Sequence, residues 1–142
     1  MIVYTFKNFP YINELSNTKV VIFEKLNKDI EAFCQTIIKI KPNFILGIAR
    51  SEEKYSIVEK YTINKFHGNK KVISNARDKY ELFIPNEIRK YCIIREKATE
   101  SFCNLSVFKI KNFLINNDLD IPFSFIHVTQ NDIVKIMNIL NK

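Results

Sequence analysis

Ala98-Thr99-Glu100-Ser101-Phe102-Cys103-Asn104 lies between an extended run, Tyr91-Cys92-Ile93-Ile94-Arg95, and a stretch with helical spacing, Phe102 to Asn116. In that stretch Val107, Ile110 and Leu114 form one stripe, widened by Phe108 and Ile115, as in a helix that buries one side. Asn116-Asn117-Asp118 ends it, and Pro122 to Val128 returns as a strand with His127 near its end. Strand, helix and strand in this order predict a parallel α/β unit. In such a sheet Cys103 and His127 fall on the edge where the strands' carboxyl ends gather and ligands bind. A helix start supplies free N–H groups and the positive end of the dipole, both of which favour thiolate. A thiol so placed beside an imidazole is the basic requirement of a cysteine hydrolase. Each residue also has a plainer reading. Free cysteines are among the most buried residue types, and a strand histidine can be a hydrogen-bonded core residue.

Outward from this unit the alternation continues. Thr129-Gln130-Asn131-Asp132 is expected to cap a closing helix, Asn131 to Asn141, with Ile133, Ile136, Met137 and Leu140 on its face. Towards the N-terminus, Ile2 to Phe6 and Lys19 to Glu24 read as strands. The loop between them, Lys7 to Thr18, holds Phe9-Pro10-Tyr11, aromatics that pack down or wall a pocket. Asp29 to Lys41 is a helix with Ile30, Phe33, Cys34, Ile37 and Ile38 on one face, stopped by Pro42. Cys34 belongs to that apolar face and reads as core. Asn43 to Ala49 is apolar on both faces, as a central parallel strand should be. Ser56 to Asn64 is a strand, and the His67-Gly68-Asn69 turn suggests a hairpin of Val58 to Ile63 with Lys71 to Ser74. Tyr80 to Ile84 is ambiguous, Pro85 to Lys90 is at most a helical turn, and Cys92 is structural. The expected fold is a three-layer α/β/α sandwich with a mixed, largely parallel sheet, in one domain spanning residues 1–142.

Length and composition agree. At 142 residues, 46% of them hydrophobic, the chain can bury a sizeable core. Two Gly and four Pro exclude collagen-like and disordered classes. No apolar run is long enough to span a bilayer, and Met1-Ile-Val-Tyr-Thr-Phe6 reads as a strand-like run and is not expected to act as a signal peptide. A cytoplasmic location with no membrane partner is expected. Three widely spaced cysteines fit free thiols there. The net charge of +7 permits nucleic-acid binding. Only Lys70-Lys71 are adjacent among scattered lysines, however, so nucleic acid is not expected as a partner.

Glu59 stands inside an apolar strand pattern, where a carboxylate is costly unless paired. It is a candidate to orient an imidazole as the third member of a triad. His67, in a turn, is expected in solvent. There is no Gly-rich phosphate loop, no Cys-x-x-Cys, no His-Glu-x-x-His and no EF-hand spacing. Neither a metal nor a cofactor is expected.

With these residues in view the chain resembles the pyroglutamyl peptidase (pyrrolidone carboxyl peptidase) family, in short and divergent form. Thr5-Phe6-Lys7-Asn8-Phe9 resembles its opening Thr-Gly-Phe-Glu-Pro-Phe segment. Pro42 to Ala49 is similar to the strand before its Gly-Gln-Ala-Gly-Gly-Arg loop. Glu59-Lys60-Tyr61-Thr62-Ile63-Asn64 looks like its Glu-Arg-Val-Ala-Ile-Asn motif, and Ser101-Phe102-Cys103-Asn104 like its Phe-Val-Cys-Asn nucleophile motif. Phe125-Ile126-His127-Val128 matches its Phe-Ile-His-Val. The resemblance implies a cysteine peptidase acting on an N-terminal pyroglutamyl peptide or a related small amide. Cys103 would be the nucleophile, His127 the base and Glu59 the orienting acid. Phe6, Phe9 and Phe102 would approach the pyrrolidone ring, and backbone near Ile48 would bind its amide. A homo-oligomer is also implied.

The chain departs from that pattern at four places. Gly47-Ile48-Ala49-Arg50 lacks the Gln and the Gly-Gly pair. The family's arginine, which helps the reacting carbonyl, falls near Asn69, with Arg77 as a substitute after realignment. Ser101 replaces a pocket aromatic. The family's long helix has shrunk to a turn between Pro85 and Tyr91, which is expected to leave part of a sheet face open for a partner. These losses support an alternative: a homologue without activity, serving as a binding or structural protein on the same fold.

Overall fold

The structure is a computed structural model that describes residues 1–68 and 70–142. Eight strands and three helices follow one another as β1 (Ile2–Phe6), β2 (Lys19–Phe23), α1 (Leu26–Ile40), β3 (Ile45–Arg50), β4 (Ser56–Glu59), β5 (Tyr61–Ile63), β6 (Lys79–Glu81), β7 (Cys92–Arg95), α2 (Phe102–Asn116), β8 (Phe123–Val128) and α3 (Ile133–Leu140). Short 3-10 turns stand at Ile12–Leu15 and Asn86–Ile88. Six strands form one sheet in the order β2-β1-β3-β8-β4-β7. Every pairing is parallel except β4 with β8. On one face α1 and α2 bury Ile30, Phe33, Ile37, Leu105, Ile110 and Leu114 against Tyr4, Phe123 and Phe125. On the other, α3 and the two 3-10 turns cover Val3, Leu46, Ile48, Val58 and Ile126. This is the α/β/α sandwich expected from the sequence.

The direction of two strands differs from the simplest expectation. Because β4 pairs with β7 in parallel and with β8 antiparallel, both run against the other four. The common carboxyl edge therefore belongs to β1, β3 and β8. Glu59 reaches the same region from β4 by lying on the sheet face, and the connection from Glu96 to Ser101 carries the chain from β7 to the start of α2.

Several boundaries move for local reasons. α1 begins at Leu26 rather than Asp29, because the Asp29 carboxylate accepts the N–H groups of Glu24 and Lys25 from within the first turn. It ends at Lys41, which takes a left-handed φ of 43° and donates to the Ile37 carbonyl. α3 begins at Ile133, since the Asp132 carboxylate accepts from Ser56 and Thr129 and does not cap the helix. The expected strand Ser56 to Asn64 breaks at Lys60, whose N–H donates to Arg95 and whose carbonyl accepts from Leu82. The hairpin partner of β5 is β6, not Lys71 to Ser74. That latter segment is held by a side chain: Asn64 accepts the Ile73 N–H and donates to the Ile73 carbonyl. The shortened region after Pro85 does not leave its sheet face open. Ile88 and Val58 are wholly buried there, and Cys92 is 8% exposed. The exposed residue of β7 is Ile93, on the opposite face, at 52%.

Candidate active site

Register places the candidate residues in two rows across the α1/α2 face. Tyr4 lies beside Gly47, and Gly47 beside Phe125. Ile57 pairs with His127 and Val58 with Ile126, so Glu59 falls next to Phe125; Glu59 in turn pairs with Arg95. The following row holds Phe6, Ala49, His127 and Ile57, at the carboxyl end of β1, β3 and β8. The small Ala49 leaves room above this second row. A cleft of 400 Å³ opens there, lined by Phe6, Phe9, Ala49, Arg95, Ser101, Phe102, Cys103 and His127. Arg50, Glu52 and Glu53, following β3, complete its charged rim.

Cys103 sits in the first turn of α2. The cap residue Ser101 accepts the Asn104 N–H at 3.5 Å. Asn104 fastens this helix start to β5: its Oδ1 accepts from the Thr62 hydroxyl at 2.7 Å and the Ile63 N–H at 3.0 Å, and its Nδ2 donates to the carbonyls of Ile63 and Lys65. Below it, Ser106 donates to the Cys103 carbonyl at 2.7 Å and meets the Tyr4 hydroxyl at 3.0 Å. Burial pushes the Cys103 thiol up to about 12; Ser101 and Arg95 draw it down, while Glu59 and Glu52 push it further up. The expectation of a lowered thiol pKa is not met in this arrangement, because desolvation outweighs the nearby positive groups. Ser101, not His127, is the side chain that draws the thiol down most strongly.

Glu59, 8% exposed at its side chain, has the partners that its strand position demanded. Arg95 Nε donates to Glu59 Oε1 at 2.7 Å, and Arg95 Nη2 donates to the same oxygen. His127 Nε2 lies 3.2 Å from Glu59 Oε1. Arg95 Nη2 also lies 3.2 Å from that nitrogen. Glu59 Oε2 is buried without a partner. The structure thus brings Glu59 and His127 together, with Cys103 on the same cleft wall.

Of the expected ring-binding residues, Phe6 and Phe102 meet edge to face at 5.0 Å between ring centres, and Phe9 lines the same cleft. Ile48 does not. Its side chain points into the opposite core with no exposure, and its carbonyl accepts from the Thr5 hydroxyl at 2.7 Å. Ala49 and Arg50 stand at the cleft instead. Arg77 lies over the Tyr80 ring, away from the cleft, and the position near Asn69 lies outside the described residues. The cleft arginine that sequence reasoning missed is Arg95. Its only signal was a charge closing each of two apolar strands, which becomes a pair once β4 and β7 are known to lie side by side. Cys34 and Cys92 are buried, their thiols pushed up by desolvation to about 11 and about 12. His67 is exposed, with a positive φ of 51°. Among the described residues no group of three potential metal ligands occurs, and no helix is long and apolar enough to cross a membrane.

The chain is an α/β/α sandwich in which a helix-start cysteine and a strand histidine line one cleft. No protein-family model and no curated protein matches the sequence. Solved structures do. The pyroglutamyl peptidase I of Bacillus amyloliquefaciens superposes with a TM-score of 0.78 at 13% identity, over 97% of this chain and 92% of that one. The pyrrolidone carboxyl peptidase of Thermococcus litoralis gives 0.75 at 16% identity, over 90% of this chain and 75% of that one. That of Pyrococcus furiosus gives 0.75 at 14% identity, over 99% and 86%. The chain is therefore a divergent structural relative of these peptidases, and at these identities the likeness is one of fold.

Proposed function

We propose that the protein is a cysteine peptidase of the pyroglutamyl peptidase type, hydrolysing an N-terminal pyroglutamyl peptide or a related small amide. The observation that carries this reading is the contact of 3.2 Å between Glu59 Oε1 and His127 Nε2 on the cleft that Cys103 borders. In the proposed reaction the sulfur of Cys103 attacks the amide carbonyl and its proton passes to His127. Nε2 faces Glu59, so Nδ1 is the ring nitrogen left for that transfer. The imidazolium returns the proton to the leaving amine, and water then releases the acyl group by the same route in reverse. The oxyanion would be held by helix-start N–H groups. Ser101 takes those of Asn104 and Leu105, which leaves those of Phe102 and Cys103, free of intrahelical acceptors, for a ligand. Phe6, Phe9 and Phe102 supply an apolar wall for a flat ring, and the cleft volume suits a small acyl group. The test is hydrolysis of a pyroglutamyl fluorogenic amide by wild type and by Cys103→Ala. Turnover lost in the variant is expected; no turnover in wild type defeats the reading.

The alternative, a binding or structural protein on this fold, is favoured by the burial of the Cys103 thiol, which pushes it up to about 12. Iodoacetamide separates the two. Faster alkylation of Cys103 than of Cys34 and Cys92 near neutral pH supports the enzyme, and equal sluggishness supports the alternative. Self-association and a cytoplasmic location belong to the leading reading. The exposed Ile93 on the outermost strand β7 is a natural contact for a second copy, and a monomer-sized species in light scattering at micromolar concentration would count against it.

A further inference from the structure

His127 Nε2 makes two contacts that cannot both be hydrogen bonds. A guanidinium nitrogen only donates. The approach of Arg95 Nη2 at 3.2 Å therefore requires Nε2 to carry a lone pair. A carboxylate oxygen only accepts, so the approach of Glu59 Oε1 at 3.2 Å requires Nε2 to carry a proton. The neutral ring must take one tautomer or the other. Arg95 is already bound to Glu59 Oε1 through Nε and Nη2, so the carboxylate does not need the imidazole proton for charge compensation.

We infer that Arg95 is a positioning residue that sets the tautomer of His127, holding the ring with its proton on Nδ1 until the guanidinium is drawn off Nε2 into the cleft. The inference rests on the proposed reading only in the use made of Nδ1. With Arg95 in place, Nδ1 carries the proton and cannot accept another from Cys103. When Arg95 leaves, the ring gives up its Nδ1 proton and gains one at Nε2, with no net change in proton count. Nε2–H then donates to Glu59 Oε1, and the Nδ1 lone pair is free for the thiol proton. Arg95 has somewhere to go: its side chain is 30% exposed and it lines the 400 Å³ cleft, where an acceptor oxygen on a ligand can compete for it. The charged groups facing the ring are Glu59 from β4 and Arg95 from β7, with Arg50, Glu52 and Glu53 from the segment after β3 on the same cleft and the Cys103 thiol from α2. Of these, Arg95 and Glu59 are the ones at Nε2.

Alkylation rates report this poorly, because the charge of Arg95 also draws the thiol towards ionisation. The ring nitrogens report it directly. With the chain labelled with nitrogen-15 and the two histidines told apart by a His67→Gln variant, nuclear magnetic resonance above the ring's titration distinguishes the protonated nitrogen from the bare one. Wild type is expected to show a bare Nε2 and a protonated Nδ1, and Arg95→Gln to reverse the assignment. A protonated Nε2 in wild type overturns the inference, with no variant needed. So does a bare Nε2 that persists in a folded Arg95→Gln. Neither outcome depends on turnover, so a protein without peptidase activity still decides this question separately from the proposed function.

Discussion

One row of residues crosses the sheet from Tyr4 through Gly47 and Phe125 to Glu59 and Arg95, and its two halves are built on opposite terms. The first half is apolar and closed. Tyr4 and Phe125 are wholly buried, and a Cβ on Gly47 would come within 2.4 Å of the Phe125 ring and 2.6 Å of the Tyr4 ring. The second half is ionic and half open. Glu59 is buried, but Arg95 reaches the cleft and shares its donors between a carboxylate and an imidazole. The first half tolerates no added volume. The second is sensitive to where protons and charges sit.

The strongest way to break this contrast is Glu59→Gln, a change of charge with almost no change of volume. It should lower kcat for the proposed amide hydrolysis on the order of ten-thousandfold, as neutralising the orienting acid does in triads. Stability should change little. The variant removes the buried negative charge rather than stranding it, and Arg95 can turn to solvent. A Glu59→Gln protein with near-normal turnover, measured beside its thermal melt, would remove Glu59 from the mechanism. Gly47→Ala is the mirror experiment, volume without charge. The two rings cannot both retreat, because Tyr4 is also held by Ser106 and stacked 4.7 Å from Phe23. The expected loss is about 1–3 kcal/mol, read by denaturant unfolding. An unchanged midpoint would mean the row is looser than it looks.

The two halves also differ in how legible they are. The apolar half follows from pattern: β-branched and aromatic runs alternate with helical stripes, and α2 begins at Phe102 and ends at Asn116 as its spacing predicts. Cys103, His127 and the oddly placed Glu59 can be picked out because each chemistry-bearing group interrupts or ends such a pattern. What pattern cannot supply is strand direction. Periodicity reads the same for a strand run either way, so the reversal of β4 and β7, and with it the pairing of Glu59 with Arg95, stays hidden. The β5–β6 hairpin was missed because side chains of Asn64 and Asn104 hold that region, and local turn signals do not report such long-range bonds. Ile48 and Ala49 are neighbours in one strand, and a one-residue step there turns the side chain from one face to the other.

A third test uses pH on the buried thiols. Burial raises Cys34 from its ordinary 9.0 to about 11. The folded state then holds that proton more tightly than the unfolded chain. Its stabilising contribution is complete below pH 9 and is lost as pH rises through about 11. The effect should stay under about 3 kcal/mol, seen as a melting temperature that falls over this window and falls less in Cys34→Ala. A melt that is flat across the window would show the thiol to be better solvated than its position implies.

The smallest effect sharpens the border between the halves. Ser101 caps α2, but its contact with the Asn104 N–H is long, at 3.5 Å, and its hydroxyl is shared with Thr99 at 3.0 Å. Asn104 is independently tied to Thr62 and to both backbone groups of Ile63. The helix start therefore does not depend on its cap alone, and Ser101→Ala should cost about 0.5 kcal/mol, the low end for loss of a serine cap. Ser101 also draws the Cys103 thiol pKa down. Removing its hydroxyl leaves desolvation less opposed, so the thiol pKa should rise further. The variant should thus melt almost like wild type yet alkylate more slowly at Cys103 with iodoacetamide, while Cys34 and Cys92 keep their rates. If Cys103 instead reacts faster, the hydroxyl is holding the sulfur away from His127 rather than favouring its ionisation, and the short segment from Thr99 to Ser101 is the part of the cleft that must move before the thiol can meet its base.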